Sequence, residues 1–253
     1  MSSNYQTFKQ LHHSDGLLVL PNAWDAYSAS LLEKHPFPAV ATSSAAVAQA
    51  LGYSDGENMP FADYLFVVGR IADSIRVPLS VDIEMGYGSS AAAIAENIRR
   101  LTDLGVAGIN IEDSMFVGSR RVLKDASSFA RMLDEVRSLL WSKELFINVR
   151  CDTYILNVDG RREETRRRLP LYESAGADGI FLPCIAEEED ILDAVGHTRL
   201  PVNVMYIPGL AGVDELQRLG VRRLSLGPAI FSEAYRQVDV FTKHLFTNKK
   251  TTA

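Results

Sequence analysis

Three stretches of this chain carry the same punctuation: Leu104-Gly105-Val106-Ala107-Gly108, Ala175-Gly176-Ala177-Asp178-Gly179 and Leu219-Gly220-Val221-Arg222. Each places a glycine just past the end of a helical pattern, where a left-handed residue commonly stops a helix. Each then runs straight into a short apolar, strand-like segment. Eight such segments can be read: Leu17–Asn22, Ala39–Ser43, Pro78–Glu84, Gly108–Glu112, Leu145–Cys151, Gly179–Cys184, Pro201–Tyr206 and Arg222–Leu226. Amphipathic helical segments lie between them. Ala91–Leu104 puts Ile94, Ile98 and Leu101 on one face, and Ser127–Leu140 does the same with Phe129, Leu133, Val136 and Leu140. Strands alternating with helices imply parallel pairing, because a parallel crossover needs a helix-length connection. Eight βα units predict a (β/α)₈ TIM barrel. An open doubly wound sheet fits less well, since no Gly-x-Gly-x-x-Gly follows any strand. No linker or low-complexity stretch divides the chain, so residues 1–253 read as one barrel domain, with Asn248–Ala253 a polar, frayed end.

The formal net charge is −6, and no Lys/Arg patch is interleaved with aromatics, which argues against a nucleic-acid partner. Arg161-Arg162 and Arg166-Arg167-Arg168, interrupted by Glu163 and Glu164, read as a solvated helix face. The N-terminus lacks a basic-then-apolar signal, and no apolar run approaches the ~18 residues of a membrane span. Cys151 and Cys184 show no metal-type spacing. They read as reduced, buried thiols of a cytoplasmic protein.

The chemistry of a (β/α)₈ barrel sits at the C-terminal ends of its strands. There the chain reads Val81-Asp82-Ile83-Glu84-Met85-Gly86-Tyr87-Gly88, then Ile111-Glu112-Asp113. Asp82 and Glu84 are two apart, so on a strand both carboxylates point to one side. Any one of these acids alone would pass as a solvated loop residue. Three at neighbouring strand tips make an all-oxygen nest that repels itself unless a hard cation sits inside. Mg²⁺ is the expected ion, with Mn²⁺ able to replace it.

Other strand ends add Asn22, Ser43-Ser44-Ala45, Asn110, the set Asn148, Arg150 and Asp152 on one face, and Asn203. Arg150 either pairs with Asp152 or Glu112, or grips a substrate carboxylate or phosphonate with two parallel hydrogen bonds; the two roles can coexist. Ser43-Ser44-Ala45 opens a helix directly after a strand. It serves as a plain N-cap or turns its N–H groups and the Ser44 hydroxyl toward an anion. A cation, an arginine and a row of N–H donors suit a reaction that builds negative charge on oxygen, such as forming an enolate from a 2-oxo acid.

From Pro21 to about Ser232 these motifs resemble the isocitrate lyase/phosphoenolpyruvate mutase superfamily. The segment from Thr42 to Asp55 looks like its serine loop and following helix, Val81–Gly88 like its Asp-x-Asp-x-Gly-Tyr-Gly signature, and Ile111–Asp113 and Val149–Asp152 like its next two motifs. The resemblance implies a (β/α)₈ barrel, often a dimer of dimers that exchanges its last helix. It implies Mg²⁺ bound directly by Asp82 and, through water, by Glu84 and Glu112. It also implies substrate contacts from Ser44, Ala45 and Arg150, and Asp55 near the gate of the site. Two departures stand out. Glu84 replaces the usual aspartate, and residues 113–124 contain neither the Lys-Lys/Arg-Cys-Gly-His motif of isocitrate and methylisocitrate lyases nor the Lys-x-Asn-Ser pattern of the mutases. Without that cysteine, Tyr53, Tyr87 or a metal-bound water are the alternatives for the proton donor.

The leading expectation is therefore a Mg²⁺-dependent C–C lyase acting on a small 2-oxo or 2-hydroxy acid, with Arg150, Asp55 and Tyr53 catalytic and Ser43, Ser44, Ala45, Arg150 and Asn203 binding substrate. C–P chemistry on phosphonopyruvate and a non-catalytic metabolite-binding barrel are the alternatives. A homodimer or homotetramer is expected, with the apolar positions of Val238–Lys249 docking either on another subunit or on their own barrel.

Overall fold

Pro21 has no N–H to give to a ladder, and it splits the first apolar run into β1 (Leu18–Leu20) and β2 (Asn22–Ala23). The computed structural model describes residues 3–140 and 144–249. Before β1 comes α1 (Asn4–Leu11). After β2 the chain continues through α2 (Ala26–Glu33), β3 (Val40–Thr42), α3 (Ser44–Ala50), α4 (Phe61–Ser74), β4 (Leu79–Asp82), α5 (Ala91–Asp103) and β5 (Gly108–Glu112). A hairpin of β6 (Ser114–Val117) and β7 (Arg120–Leu123) follows, then α6 (Ala126–Leu139), β8 (Phe146–Arg150) and α7 (Arg161–Ser174). The remainder is β9 (Gly179–Leu182), α8 (Glu188–Gly196), β10 (Val202–Met205), α9 (Val213–Arg218), β11 (Arg223–Ser225) and α10 (Ala229–Lys249).

The main sheet runs β1-β11-β10-β9-β8-β5-β4-β3-β2. Its pairings are all parallel. Its two ends, β1 and β2, are one stretch of chain, so the nine strands close into a (β/α)₈ barrel with β1 and β2 sharing a stave. The expected glycines take left-handed φ at the helix ends: 82° at Gly105, 91° at Gly176 and 89° at Gly220. A side chain there would cost roughly 1–2 kcal/mol.

The apolar face of α5 lands as read, with Ile94, Ile98 and Leu101 buried. Each such side chain contributes about 1.5–3 kcal/mol. α1 stops the N-terminal end of the barrel, its buried Phe8 ring set edge-on to Phe146 at 5.7 Å. That leaves the opposite end for chemistry.

The structure adds to the expectations and corrects some of them. The β6–β7 hairpin was not foreseen. Helix α10 runs to Lys249 rather than fraying from Asn248, and residues 250–253 lie outside the described residues. Its Phe241 and Phe246 are 65% and 67% exposed, so this face does not dock on its own barrel. Arg168 is buried instead of solvated, and Cys184 is only partly buried, unlike Cys151. Among the described residues no helix is long and apolar enough to cross a membrane.

Candidate active site

A cavity of about 160 Å³ opens at the C-terminal ends of the strands, with Asn22, Ser44, Asp82, Asn110, Arg121 and Arg150 in its wall. Asp82, the last residue of β4, is fixed from three directions. Its N–H donates to Thr42 Oγ1 (3.0 Å), its carbonyl accepts from the Tyr64 hydroxyl (2.6 Å), and its Oδ2 accepts from the Ser44 hydroxyl (2.8 Å). Its Oδ1 is buried and has no hydrogen-bond partner among the described residues. Burial raises the Asp82 pKa against the pull of Arg150 and Ser44.

Glu84 does not share the strand face of Asp82. β4 ends at Asp82, and Glu84 adopts φ 50°, with Tyr87 at φ 54°. Left-handed non-glycine residues of this kind cost of order 1–3 kcal/mol each and cluster at functional sites. The Glu84 carboxylate accepts from the Glu57 N–H (2.8 Å) and the Tyr87 hydroxyl (3.1 Å), while the Tyr87 N–H donates to the Glu57 carboxylate (2.6 Å). Burial, then the nearby charges of Asp55, Asp82 and Glu112, push the Glu84 pKa up to about 8.

Glu112, at the end of β5, is fully buried and lies 3.0 Å from Arg150 Nη1 and 3.3 Å from Arg121 Nη1. Burial outweighs both guanidinium groups and raises its pKa to about 7. Glu84 and Glu112 thus stand behind the cavity wall rather than in it. The expected nest of three bare carboxylates is corrected, because arginines supply much of the positive charge. Among the described residues no group of three His, Cys, Asp or Glu converges as a direct metal cage.

Arg150 lines the cavity and is clasped by Asp152, Nε at 2.6 Å and Nη2 at 3.3 Å from its two carboxylate oxygens. The ion-pair reading of Arg150 therefore holds. Asp152 is itself seated by Asp113, whose Oδ1 accepts the Asp152 N–H (2.8 Å). The other Asp113 oxygen takes Arg168 Nη1 (2.8 Å) and the Tyr172 hydroxyl (2.6 Å) from α7.

Ser43 is the N-cap of α3, its hydroxyl accepting from the Ala46 N–H at 3.3 Å. Ser43, Ser44, Ala45 and Asp55 all line the cavity. Tyr53 and Asn203 do not. The Tyr53 hydroxyl is drawn aside to Asp63 at 2.9 Å. Asn203 sits one inward-facing position below the wall, level with Arg223, and accepts from the Ser225 hydroxyl at 3.2 Å. Two residues along β10, Met205 takes the wall position. Tyr87, occupied by Glu84, is also outside the wall.

Sequence reasoning missed Arg121. Its signal was Gly118-Ser119 between Met115-Phe116-Val117 and Arg120-Arg121-Val122-Leu123, a two-residue hairpin turn flanked by strand formers. It also missed the Asp113–Arg168–Tyr172 triad, which no local spacing betrays.

The family model for phosphoenolpyruvate phosphomutase matches residues 8–246. The chain belongs to this family. It is an enzyme of the isocitrate lyase/phosphoenolpyruvate mutase superfamily, whose members are lyases and mutases acting on small carboxylic acids. An uncharacterized protein of Mycobacterium tuberculosis H37Rv is 34% identical over 226 residues, which is 89% of this chain and 83% of that protein. The 2-methylisocitrate lyase of Escherichia coli K12 is 32% identical over 218 residues, 83% of this chain and 70% of the lyase. A Burkholderia cenocepacia J2315 crystal structure, provisionally named a phosphonomutase, superposes with a TM-score of 0.89 at 33% identity, covering 96% of this chain and 100% of that one.

Proposed function

We propose that this enzyme is a divalent-metal-dependent lyase that cleaves a C–C bond in a small 2-oxo or 2-hydroxy carboxylic acid. The observation that carries the reading is the buried Oδ1 of Asp82, without a partner among the described residues, at the wall of a cavity that also presents Ser44 and two guanidinium groups. A buried carboxylate oxygen left without a partner is costly, and a cation fills that need. The donor set fits Mg²⁺, or Mn²⁺ in its place, since every acid here is a hard oxygen ligand. Mg²⁺ commonly takes one or two carboxylates and completes its shell with water and substrate. Asp82 would hold it directly, with Glu84 and Glu112 acting from behind through water. When bound, such an ion supplies Lewis-acid stabilisation of negative charge on a substrate oxygen.

The chain's own residues do the rest. Ser44 and Thr42 fix the Asp82 carboxylate and its backbone. Arg150, braced by Asp152, adds positive charge where the acid's carboxylate enters. Ser44 and Ala45 line the same space, and their first-turn N–H groups have no intrahelical acceptor. Residues 113–124 contain no cysteine. Asp55 is, with Asp82, one of two carboxylates in the wall, and at 46% side-chain exposure it is open to solvent. In this reading it carries the proton. The chain works as a homo-oligomer joined through α10 and, with both cysteines free, in the cytoplasm.

Turnover of a panel of 2-oxo and 2-hydroxy acids with Mg²⁺, followed by appearance of the cleaved oxo acid, tests this directly. Cleavage that disappears on adding EDTA and in Asp82→Ala is expected. Phosphate release from phosphonopyruvate without cleavage of any carboxylic acid would instead assign C–P chemistry.

A further inference from the structure

Two asparagines line the cavity, and they are held in different ways. Asn22 is committed at both ends: its Nδ2 donates to the Thr42 carbonyl (2.8 Å) and its Oδ1 accepts the Gly227 N–H (2.9 Å). Asn110 is committed at one end. Its Oδ1 accepts from Asn148 Nδ2 at 2.9 Å and lies 3.5 Å from Arg223 Nη2. Its Nδ2 makes no hydrogen bond among the described residues.

Arg223 decides which end of the Asn110 amide is which. The oxygen and nitrogen of an amide are told apart by the groups they meet. A guanidinium has five donors and no acceptor, so the Asn110 atom that faces Arg223 is the oxygen. Arg223 itself is fully buried, its Nε donates to the Ser225 hydroxyl at 3.0 Å, and it forms no ion pair among the described residues. Asn148 must then present its amino group to the same oxygen. Its own Oδ1 is left buried without a partner among the described residues, as that orientation requires. The amino group of Asn110 is the end left over. Asn110 is also the register partner of Asp82 on the neighbouring strand.

We infer that Asn110 is a specificity-determining residue: pinned from below by Arg223 and Asn148, it turns its Nδ2 into the cavity and donates to the substrate oxygen at C2. This rests on the lyase reading above and sharpens it, since Asn110 then favours a 2-oxo acid over the matching 2-hydroxy acid. A keto oxygen only accepts, which suits a donor that cannot turn over. A 2-hydroxyl brings a proton of its own that needs an acceptor, and Asn110 offers none. Arg223 and Asn148 act as positioning residues, because they fix the amide without reaching the substrate.

Titration calorimetry at saturating Mg²⁺, with pyruvate and lactate as probes, isolates this role. Both are monoanions that differ only at C2, so a change of charge nearby acts on both alike and drops out of their ratio. Wild type is expected to bind pyruvate about 3- to 10-fold more tightly than lactate, the range for one hydrogen bond. Asn110→Asp replaces the donor by an acceptor and should reverse the preference, to about threefold in favour of lactate. Its Tm should be no lower than that of wild type, because Arg223 gains the carboxylate it lacks. Asn110→Ala offers neither donor nor acceptor and should bring the two acids to within about twofold. A pyruvate preference that survives both substitutions would overturn the inference, and so would wild type that binds the two acids equally. A lower Tm in Asn110→Asp would also overturn it, since the Asn110 oxygen would then not be the end that faces Arg223. Wild type that binds neither acid would sink the lyase reading itself, and the inference with it.

Discussion

Replacing Arg168 by methionine removes the charge partner of the fully buried Asp113 and leaves it two neutral donors, the Asp152 N–H and the Tyr172 hydroxyl. Removing one partner of a buried pair costs about 3–5 kcal/mol, because an uncompensated charge remains. For a domain of this size each kcal/mol moves Tm by roughly 2–4 °C, so a fall of roughly 6–20 °C is expected. The loss should depend on pH. Burial already raises the Asp113 pKa while Arg168 lowers it, so removing Arg168 raises it further. A carboxyl with a raised folded pKa contributes stability that is fully present below its unfolded pKa and fades as pH rises through the folded one. The Arg168→Met deficit should therefore be smaller at pH 5 than at pH 8. Urea unfolding at both pH values, with Asp113→Asn and the double variant completing a cycle, measures it. A double variant far less damaged than the sum of the singles is expected. A deficit under about 1 kcal/mol, or strict additivity, would refute the buried-pair reasoning.

Three further outcomes follow. Gly56→Ala should lift the Phe116 ring and with it Arg121, whose guanidinium lies 5.0 Å above that ring, because the new methyl lands 2.4 Å from the ring at a backbone φ of 95°; loss of turnover with Mg²⁺ affinity retained by titration is the expected pair of readings. The metal-free protein should lose thermal stability between pH 5 and 9, since Glu84 and Glu112 have pKa values raised to about 8 and about 7 and stability from such groups drains away as they ionise. Glu84→Gln should flatten that slope in EDTA; a slope unchanged by the substitution would place the effect elsewhere. Asp55→Asn should lower kcat with little change in KM if Asp55 carries the proton, measured by steady-state kinetics on the substrate the panel identifies.

The barrel was legible because it is written in local periodicity. Helix ends marked by Gly105, Gly176 and Gly220 and the alternation of apolar runs fix both element type and parallel pairing. The site was legible only in part. Asp82, Ser44, Ala45 and Arg150 reach the cavity because each sits at a strand end or a helix start, and Asp55 reaches it from the connection between α3 and α4. Glu84 escaped the period-of-two argument because the strand stops two residues earlier and its backbone turns left-handed. Asn203 fell one layer short because the strand alternation gives the face of a residue but not its depth. Tyr53, in the irregular connection after α3, was drawn off by Asp63, ten positions on in the first turn of α4. Arg121 and the Asp113–Arg168–Tyr172 triad depend on contacts between distant elements, which a single chain's pattern does not encode.

The most direct test of a cation seated on Asp82 is Mn²⁺ binding followed by electron paramagnetic resonance in wild type and Asp82→Asn. One Mn²⁺ per chain, displaceable by Mg²⁺, is expected for wild type. Asp82→Asn should weaken it by more than about 100-fold, beyond the 10- to 100-fold typical of losing an outer-shell partner. Equal Mn²⁺ affinity in the two proteins would contradict the site as described.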